Sequence, residues 1–356
     1  MTPKKILIIN IFGIGDVLFT TPLIENLKNF NPQVSIGYLC NRRAEPVLKQ
    51  NPSIDKIFIY ERDEFVLEYK RSKLAYWKKV NDLVKMIRKE RYDIVIDVSL
   101  NGFMGLLCWM AGIKERVGLN YKNRNIFLTK KIHLKGYEER HVVEYYLDLL
   151  KCLQVPVTNR DLILNIGAED ESWVDGFLKQ NKLNGNHVLI GLVPGGGASW
   201  GKDALYKRWV PENYAKLADK IIEKFGAQII LMGAVEEQEL CSQVAQLMRQ
   251  SSVSACGQTN ITQFAALARR CQVNIVNDGG PLHIAVAAKA KTVSIFGPVD
   301  EKVYGPYPQE GQHIVTTELA CRPCYRQFRR AACEHLSCLK QIGVEDVLKT
   351  VEEVLT

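Results

Sequence analysis

Three times in this chain a short run of branched aliphatic residues passes straight into a glycine-rich loop. Lys5-Ile6-Leu7-Ile8-Ile9 leads to Gly13-Ile14-Gly15-Asp16, Val188 to Val193 leads to Pro194-Gly195-Gly196-Gly197-Ala198-Ser199, and Val273 to Val276 leads to Asn277-Asp278-Gly279-Gly280-Pro281-Leu282-His283. Runs without apolar/polar alternation suit strands covered by helices on both faces, and helical patterns do follow, as from Val17 to Phe30 and from Pro211 to about Phe225. Repeated strand-then-helix order implies a parallel, doubly wound sheet, so the fold class is α/β. The alternation lapses from about Val155 to Asn186, around Pro156, Glu169-Asp170-Glu171 and Asn184-Gly185-Asn186, and then restarts. This predicts two Rossmann-like domains, 1–165 and 187–340, joined by a linker over 166–186 and followed by a terminal helix over 341–356.

Length and composition agree. The 356 residues allow about two domains. With 47% hydrophobic and 24% charged residues the chain is neither disordered nor collagen-like. No apolar run approaches the ~20 residues that span a bilayer, and Asn10, Gly13 and Asp16 interrupt the first one before a signal-peptide core forms. A cytoplasmic protein is expected. The net charge of +8 suits an anionic substrate, an anionic membrane surface or nucleic acid without choosing among them, and no nucleic-acid-reading motif accompanies it.

Each glycine loop has a sharp reading and a plain one. Ligands of open α/β sheets bind beyond the carboxyl ends of strands, where glycines permit close approach. After Gly13 and Gly15 a dinucleotide fingerprint would need glycine at position 18, which is Leu18, so a nicotinamide enzyme is disfavoured. Asp16 is either an N-cap of the helix that follows or a general base. The Gly195–Gly197 loop is either a flexible connector or a phosphate cradle with cations supplied by Lys202, Lys207 and Arg208; it has no Walker ending. In the third loop, Asp278 suits N-capping and His283 a structural role, or the free N–H groups at the helix start, with Gly279 and Gly280, form an anion site.

Two further features stand out. Cys321, Cys324, Cys333 and Cys338 lie within 18 residues, whereas the other six cysteines are scattered through apolar patterns. The spacing matches a structural tetrahedral site for zinc, with iron as the alternative, or else four free or disulfide-bonded thiols. The stretch from Lys70 to Arg91 holds nine Lys and Arg residues with Tyr76 and Trp77 among them. It is either a solvated helix face or a surface for anionic lipid headgroups or a phosphorylated acceptor.

These residues also resemble a known family. Gly-Ile-Gly-Asp-Val-Leu-Phe-Thr-Thr-Pro-Leu after the first strand, Lys207-Arg208-Trp209-Val210-Pro211, and Asn-Asp-Gly-Gly-Pro-Leu-His with Ile-Phe-Gly-Pro between Gly257 and Pro298 resemble the heptosyltransferases of glycosyltransferase family 9. The resemblance implies a GT-B fold, two Rossmann-like domains facing across a cleft. It implies inverting transfer of heptose from ADP-heptose to a lipopolysaccharide inner core, or to a related glycan or protein acceptor, with peripheral contact at the inner face of the cytoplasmic membrane. By the same resemblance Asp16 matches the catalytic base, with Gly13 and Gly15 near the acceptor, and Lys207 matches the lysine on the donor diphosphate. Asp278, Gly279, Gly280 and His283 match the donor-binding loop, and Glu237, or else Glu236, matches a glutamate at the ribose; Gly195, Gly196 and Ser199 join the expected donor site on the phosphate-cradle reading of their own loop. No catalytic metal is required on this reading. The sequence departs from the family at Gly279, where Ser or Thr is common, and at the inserted Val210. The cysteine quartet resembles the metal-binding cysteines of the protein-modifying branch. Rival readings are an epimerase or hydrolase of nucleotide sugars on the same fold, and a non-catalytic nucleotide-sugar-binding module.

Overall fold

A computed structural model describes residues 4–183 and 187–356; the side chains of 198 and 199 lie outside the description, as does the turn expected at 184–186. The chain divides into two units, one ending at Arg160 and the other beginning at Asp161.

The first unit is built on six strands: β1 (Lys5–Ile9), β2 (Ser35–Cys40), β3 (Lys56–Ile59), β4 (Ile94–Asp97), β5 (Glu115–Tyr121) and β6 (Lys130–Leu134). Their order across the sheet is β3-β2-β1-β4-β5-β6, and every pairing is parallel. The order reverses between β1 and β4, the two central strands, whose side chains from Ile6 to Ile9 and from Ile94 to Asp97 are all buried. Diverging loops at such a switch point open a crevice beyond the carboxyl edge, which is where ligands of doubly wound sheets sit.

The second unit repeats the plan with β7 (Leu189–Val193), β8 (Gln228–Leu231), β9 (Val253–Ser254), β10 (Val273–Asn277), β11 (Thr292–Ile295) and β12 (Gln312–Val315). The order β12-β11-β10-β7-β8-β9 is the same 3-2-1-4-5-6 arrangement, again all parallel, with its switch point between β7 and β10. One face of this sheet packs Ile190, Leu192, Ile229 and Ile275 against Tyr214, Leu217 and Ile221 of helix Pro211–Phe225 and against Val347 and Val351 of helix Val344–Leu355. The terminal helix is thus part of this core. Each such side chain contributes about 1.5–3 kcal/mol by leaving water.

Two local expectations need correction. The pattern from Val17 to Phe30 forms two helices, Ile14–Leu18 and Thr21–Phe30. The hydroxyls of Thr20 and Thr21 donate to the carbonyls of Val17 (2.6 Å) and Leu18 (2.7 Å). Pro22, with no N–H of its own, starts the second helix. The stretch 166–186 is not a bare linker but holds helix Ala168–Gln180 inside the second unit. It is fastened to helix Ile261–Arg270 by Thr262 Oγ1 donating to Asp170 (2.9 Å) and by the Arg270–Asp175 ion pair (2.6 Å). Its run of acids in the first turn looked like a loop but suits the positive end of a helix.

Candidate functional site

In the second unit the loops after β7 and β10, the strands flanking the switch point, are tied to one another. Asn277, the last residue of β10, donates from Nδ2 to the carbonyls of Pro194 (2.8 Å) and Gly195 (2.9 Å), and its Oδ1 accepts from the Trp209 N–H at 3.0 Å. One buried amide therefore positions three segments: the β7 loop, the β10 loop and the chain just after Lys207. Gly279 lies so close to the β7 loop that a Cβ there would stand 2.8 Å from the Gly197 nitrogen. This accounts for the missing Ser or Thr at that position. Gly196 and Gly197 have φ of 102° and 73°, conformations open to glycine at little cost.

Lys207 and Asp278 meet in this frame. Lys207 Nζ lies 2.7 Å from Asp278 Oδ2, with both side chains nearly excluded from solvent, and 4.5 Å from the centroid of the Trp200 ring. Asp278 is not an N-cap. Gly279 holds that position of helix Gly280–Ala287, and no side chain caps it. The first-turn N–H groups of Gly280 and Leu282 and the Lys207 ammonium are arranged to receive an anion. His283 is buried in the same helix. Lys202, expected to help, is exposed on the surface.

Glu237 is buried behind the loop. Its Oε1 accepts from the Gly196 N–H (2.6 Å) and faces Arg208 Nη2 (3.3 Å), while Oε2 accepts from the Ala234 N–H (3.0 Å). Arg208 Nε in turn donates to the Gly196 carbonyl at 2.9 Å. Both carboxylate oxygens are therefore engaged, Oε1 in shaping the β7 loop and Oε2 in the loop after β8. Gly195 has no room for anything but hydrogen, because a Cβ would lie 2.1 Å from the Glu237 carboxylate. Gly195, Gly196, Lys207, Glu237, Asp278, Gly279, Gly280 and His283 are thus brought together around one switch point; Glu236 is exposed. The Ser199 side chain lies outside the described residues. The role of Asn277, which reads as the first loop residue but ends β10, was missed, as was Trp200, which nothing in the spacing marks.

At the switch point of the first unit, Gly13 is the N-cap of helix Ile14–Leu18 and Asp16 sits in its first turn, so the plain N-cap reading of Asp16 does not hold. Asn10 Nδ2 donates to the Asp16 backbone carbonyl (2.8 Å) and fixes the loop to the end of β1. Below lie the buried phenols of Tyr38, Tyr137 and Tyr146. Burial pushes all three well above the usual tyrosine range, and the Asp16 charge adds to the effect. Asp97, at the carboxyl end of β4 and level with Ile9 of β1, went unnoticed in the sequence because it closes an apolar run. It accepts from the Ser99 N–H (2.9 Å) and Asn125 Nδ2 (3.0 Å). Burial nevertheless outweighs these bonds and pushes its carboxyl up to about 6.

The metal site expected from Cys321, Cys324, Cys333 and Cys338 is not formed: among the described residues no group of three or more His, Cys, Asp or Glu side chains is placed to hold a metal ion. The four residues occupy different environments. Cys338 is buried in the apolar core of the second unit, Cys324 and Cys333 are half-buried and Cys321 is exposed. Burial pushes the Cys324 and Cys338 thiols up, and the neighbouring thiols of the quartet add to the effect. All four are free of disulfides. No described helix is long and apolar enough to cross a membrane.

Against proteins already known, the sequence profile of glycosyltransferase family 9 (heptosyltransferase) matches residues 80–335. The chain is 30% identical over 350 residues to lipooligosaccharide heptosyltransferase 2 of Campylobacter jejuni, covering 96% of this chain and 95% of that one. Among solved structures, the family 9 glycosyl transferase of Veillonella parvula superposes with a TM-score of 0.83 at 25% identity, covering 99% of this chain and 97% of that one. The E. coli ADP-heptose lps heptosyltransferase II superposes with a TM-score of 0.75 at 21% identity, covering 99% and 98%; this second likeness speaks to the fold alone.

Proposed function

The chain belongs to glycosyltransferase family 9, the heptosyltransferases, and we propose that it transfers a heptose from ADP-heptose to a lipopolysaccharide inner-core acceptor with inversion at the anomeric carbon. The observation that carries this reading is the Lys207–Asp278 pair set between two glycine loops at the β7/β10 switch point. Two units of identical Rossmann order are what a GT-B enzyme requires.

On this reading the ADP diphosphate lies against the first turn of helix Gly280–Ala287, with Lys207 beside it. Negative charge grows on the leaving diphosphate as the C–O bond at the anomeric carbon breaks. A fixed ammonium and oriented N–H groups then stabilise the transition state more than the ground state. Asp278 holds the Lys207 side chain in place. Glu237, with Oε1 bound to the β7 loop and Arg208 and Oε2 bound to the Ala234 N–H in the loop after β8, acts by positioning the β7 loop. Asp16 takes the proton of the acceptor hydroxyl, whose oxygen attacks the anomeric carbon from the face opposite the diphosphate. ADP departs with the electron pair of the broken bond. No step is routed through a metal. The reaction takes place in the cytoplasm, at the inner face of the membrane that carries the acceptor.

The test is a thermal-shift series with ADP-heptose, GDP-heptose and UDP-heptose, followed by NMR of the product's anomeric configuration. Donor binding stabilises the native state by mass action. The expected result is the largest rise in Tm with ADP-heptose and an inverted product. A larger rise with another nucleotide, retention of configuration, or conversion of the donor without any acceptor would overturn the assignment, the last pointing to an epimerase or hydrolase.

A further inference from the structure

Between β3 and β4 the first unit carries a helical hairpin that the transfer chemistry does not use. Helices Arg62–Arg71 and Lys73–Glu90 are joined through Ser72, whose Oγ caps the second helix by accepting from the Ala75 N–H at 3.2 Å. They run antiparallel. Phe65 meets Tyr76 with ring centroids 6.2 Å apart, Glu64 pairs with Lys79 (2.8 Å), and Tyr69 meets Tyr76 at 5.2 Å nearer the turn. The base is anchored by buried Phe65 against Tyr60. Because β3 delivers the chain at its carboxyl end, the base lies at the sheet edge where the β1 loop holds Asp16.

The tip is unlike the rest of the surface. Leu74 is 84% exposed, Leu67 65% and Trp77 49%, with Tyr69 also exposed. Lys70, Arg71, Lys73 and Lys78 stand among them, against Glu68 as the one acid between positions 66 and 78. None of these four cations has a carboxylate within ion-pair distance among the described residues. At about 100° per residue, Leu74, Trp77, Lys78, Asn81, Lys85 and Arg88 fall on one strip of the longer helix roughly 100° wide, and no carboxylate shares it. A merely solvated face would mix acids with its bases and keep large apolar side chains inward. Exposed Leu and Trp among unpaired cations instead fit a surface that is apolar within and negative outside.

We propose that the tip of this hairpin, residues 66–78, docks on an anionic lipid bilayer, with Leu67, Leu74 and Trp77 entering the headgroup boundary and Lys70, Arg71 and Lys73 pairing with lipid phosphates. The purpose of such docking, bringing the acceptor-side loop to a membrane-borne acceptor, rests on the function proposed above. The binding itself does not, so it is tested without donor or acceptor.

The experiment is co-sedimentation of the full chain with vesicles of phosphatidylglycerol and phosphatidylethanolamine, compared with neutral phosphatidylcholine vesicles. Variants are L74E/W77E, which keeps the cations, and K70E/R71E/K73E, which keeps the apolar tip. Circular dichroism melting reports whether the first unit of each variant is folded, and ADP-induced thermal shift reports whether the second unit's loops are intact. Expected are binding to phosphatidylglycerol vesicles only, weakening in high salt, and at least a tenfold loss of partitioning in each variant with the thermal shift intact. Wild-type protein that stays in the supernatant, equal binding to neutral vesicles, or variants that partition like wild type would overturn the proposal. It is also overturned if the variants lose turnover equally on a lipid-free acceptor, because the tip would then serve the acceptor glycan. Failure here leaves the donor assignment standing.

Discussion

Replacing Gly195 by Ala adds a single methyl group, yet it should dismantle the loop after β7. Gly195 does not have a positive φ, so the effect is steric and not backbone strain. The new Cβ would lie 2.1 Å from the Glu237 carboxylate, which cannot stay. Displacing it frees the Gly196 and Ala234 N–H groups and strips Arg208 of its counter-ion. Hydrogen bonds to a charged acceptor contribute about 1.5–3 kcal/mol each, so losing two costs roughly 3–6 kcal/mol. Calorimetry of the second unit's transition measures this cost, and ADP titration measures the loss of binding. The decisive variants are E237A and G195A/E237A. If the methyl acts only by evicting Glu237, the double variant matches E237A within about 0.5 kcal/mol, because its conflict has been removed in advance. Additive losses in the double variant would refute the argument that Gly195 exists to make room for that carboxylate.

Other expectations follow from the same geometry. K207M leaves Asp278 buried without its partner and should cost about 3–5 kcal/mol; K207M/D278N should regain much of that stability in urea unfolding while remaining without turnover. Asp97 has a carboxyl raised to about 6 against an ordinary value of ~3.9, so folding takes up a proton between those pH values. Its contribution to stability is therefore fully present below about pH 4 and is lost as pH rises through 6, by about 3 kcal/mol in total. Urea midpoints of wild type and D97N across pH 4–7 should show the wild type losing ground to the variant over that window, and parallel curves would contradict the assignment. Gly176 is exposed within helix Ala168–Gln180 with open space around it, so G176A should stabilise by about 0.5–1 kcal/mol, read as a small rise in Tm.

The central strands and their loops were legible because burial on both faces leaves no polar alternation, as in β1, β7 and β10. The outer strands β5, β6 and β12 were not: edges and their neighbours carry charge, and Lys130-Lys131-Ile132-His133-Leu134 does not look like a strand until it is paired. The residues gathered at the β7/β10 switch point were named from sequence, since glycine, lysine and aspartate beyond strand ends have few other uses together. Their division of labour was not legible. That Glu237 is spent on its own loop, that Asn277 ties three segments together, and that Asp278 faces Lys207 instead of capping a helix depend on contacts between residues 41 to 83 positions apart. The cysteine quartet shows the converse: its spacing suggests a metal site, yet among the described residues no group of side chains is placed to hold one.

The most direct test measures ADP release from ADP-heptose, with and without a lipopolysaccharide inner-core acceptor, in wild type and D16N. A general base contributes typically 10²–10⁴-fold. The account predicts acceptor-dependent release by the wild type and at least a hundredfold slower release by D16N, with ADP affinity unchanged because the donor loops lie in the other unit. Release that ignores the acceptor, or D16N turning over at the wild-type rate, would contradict it.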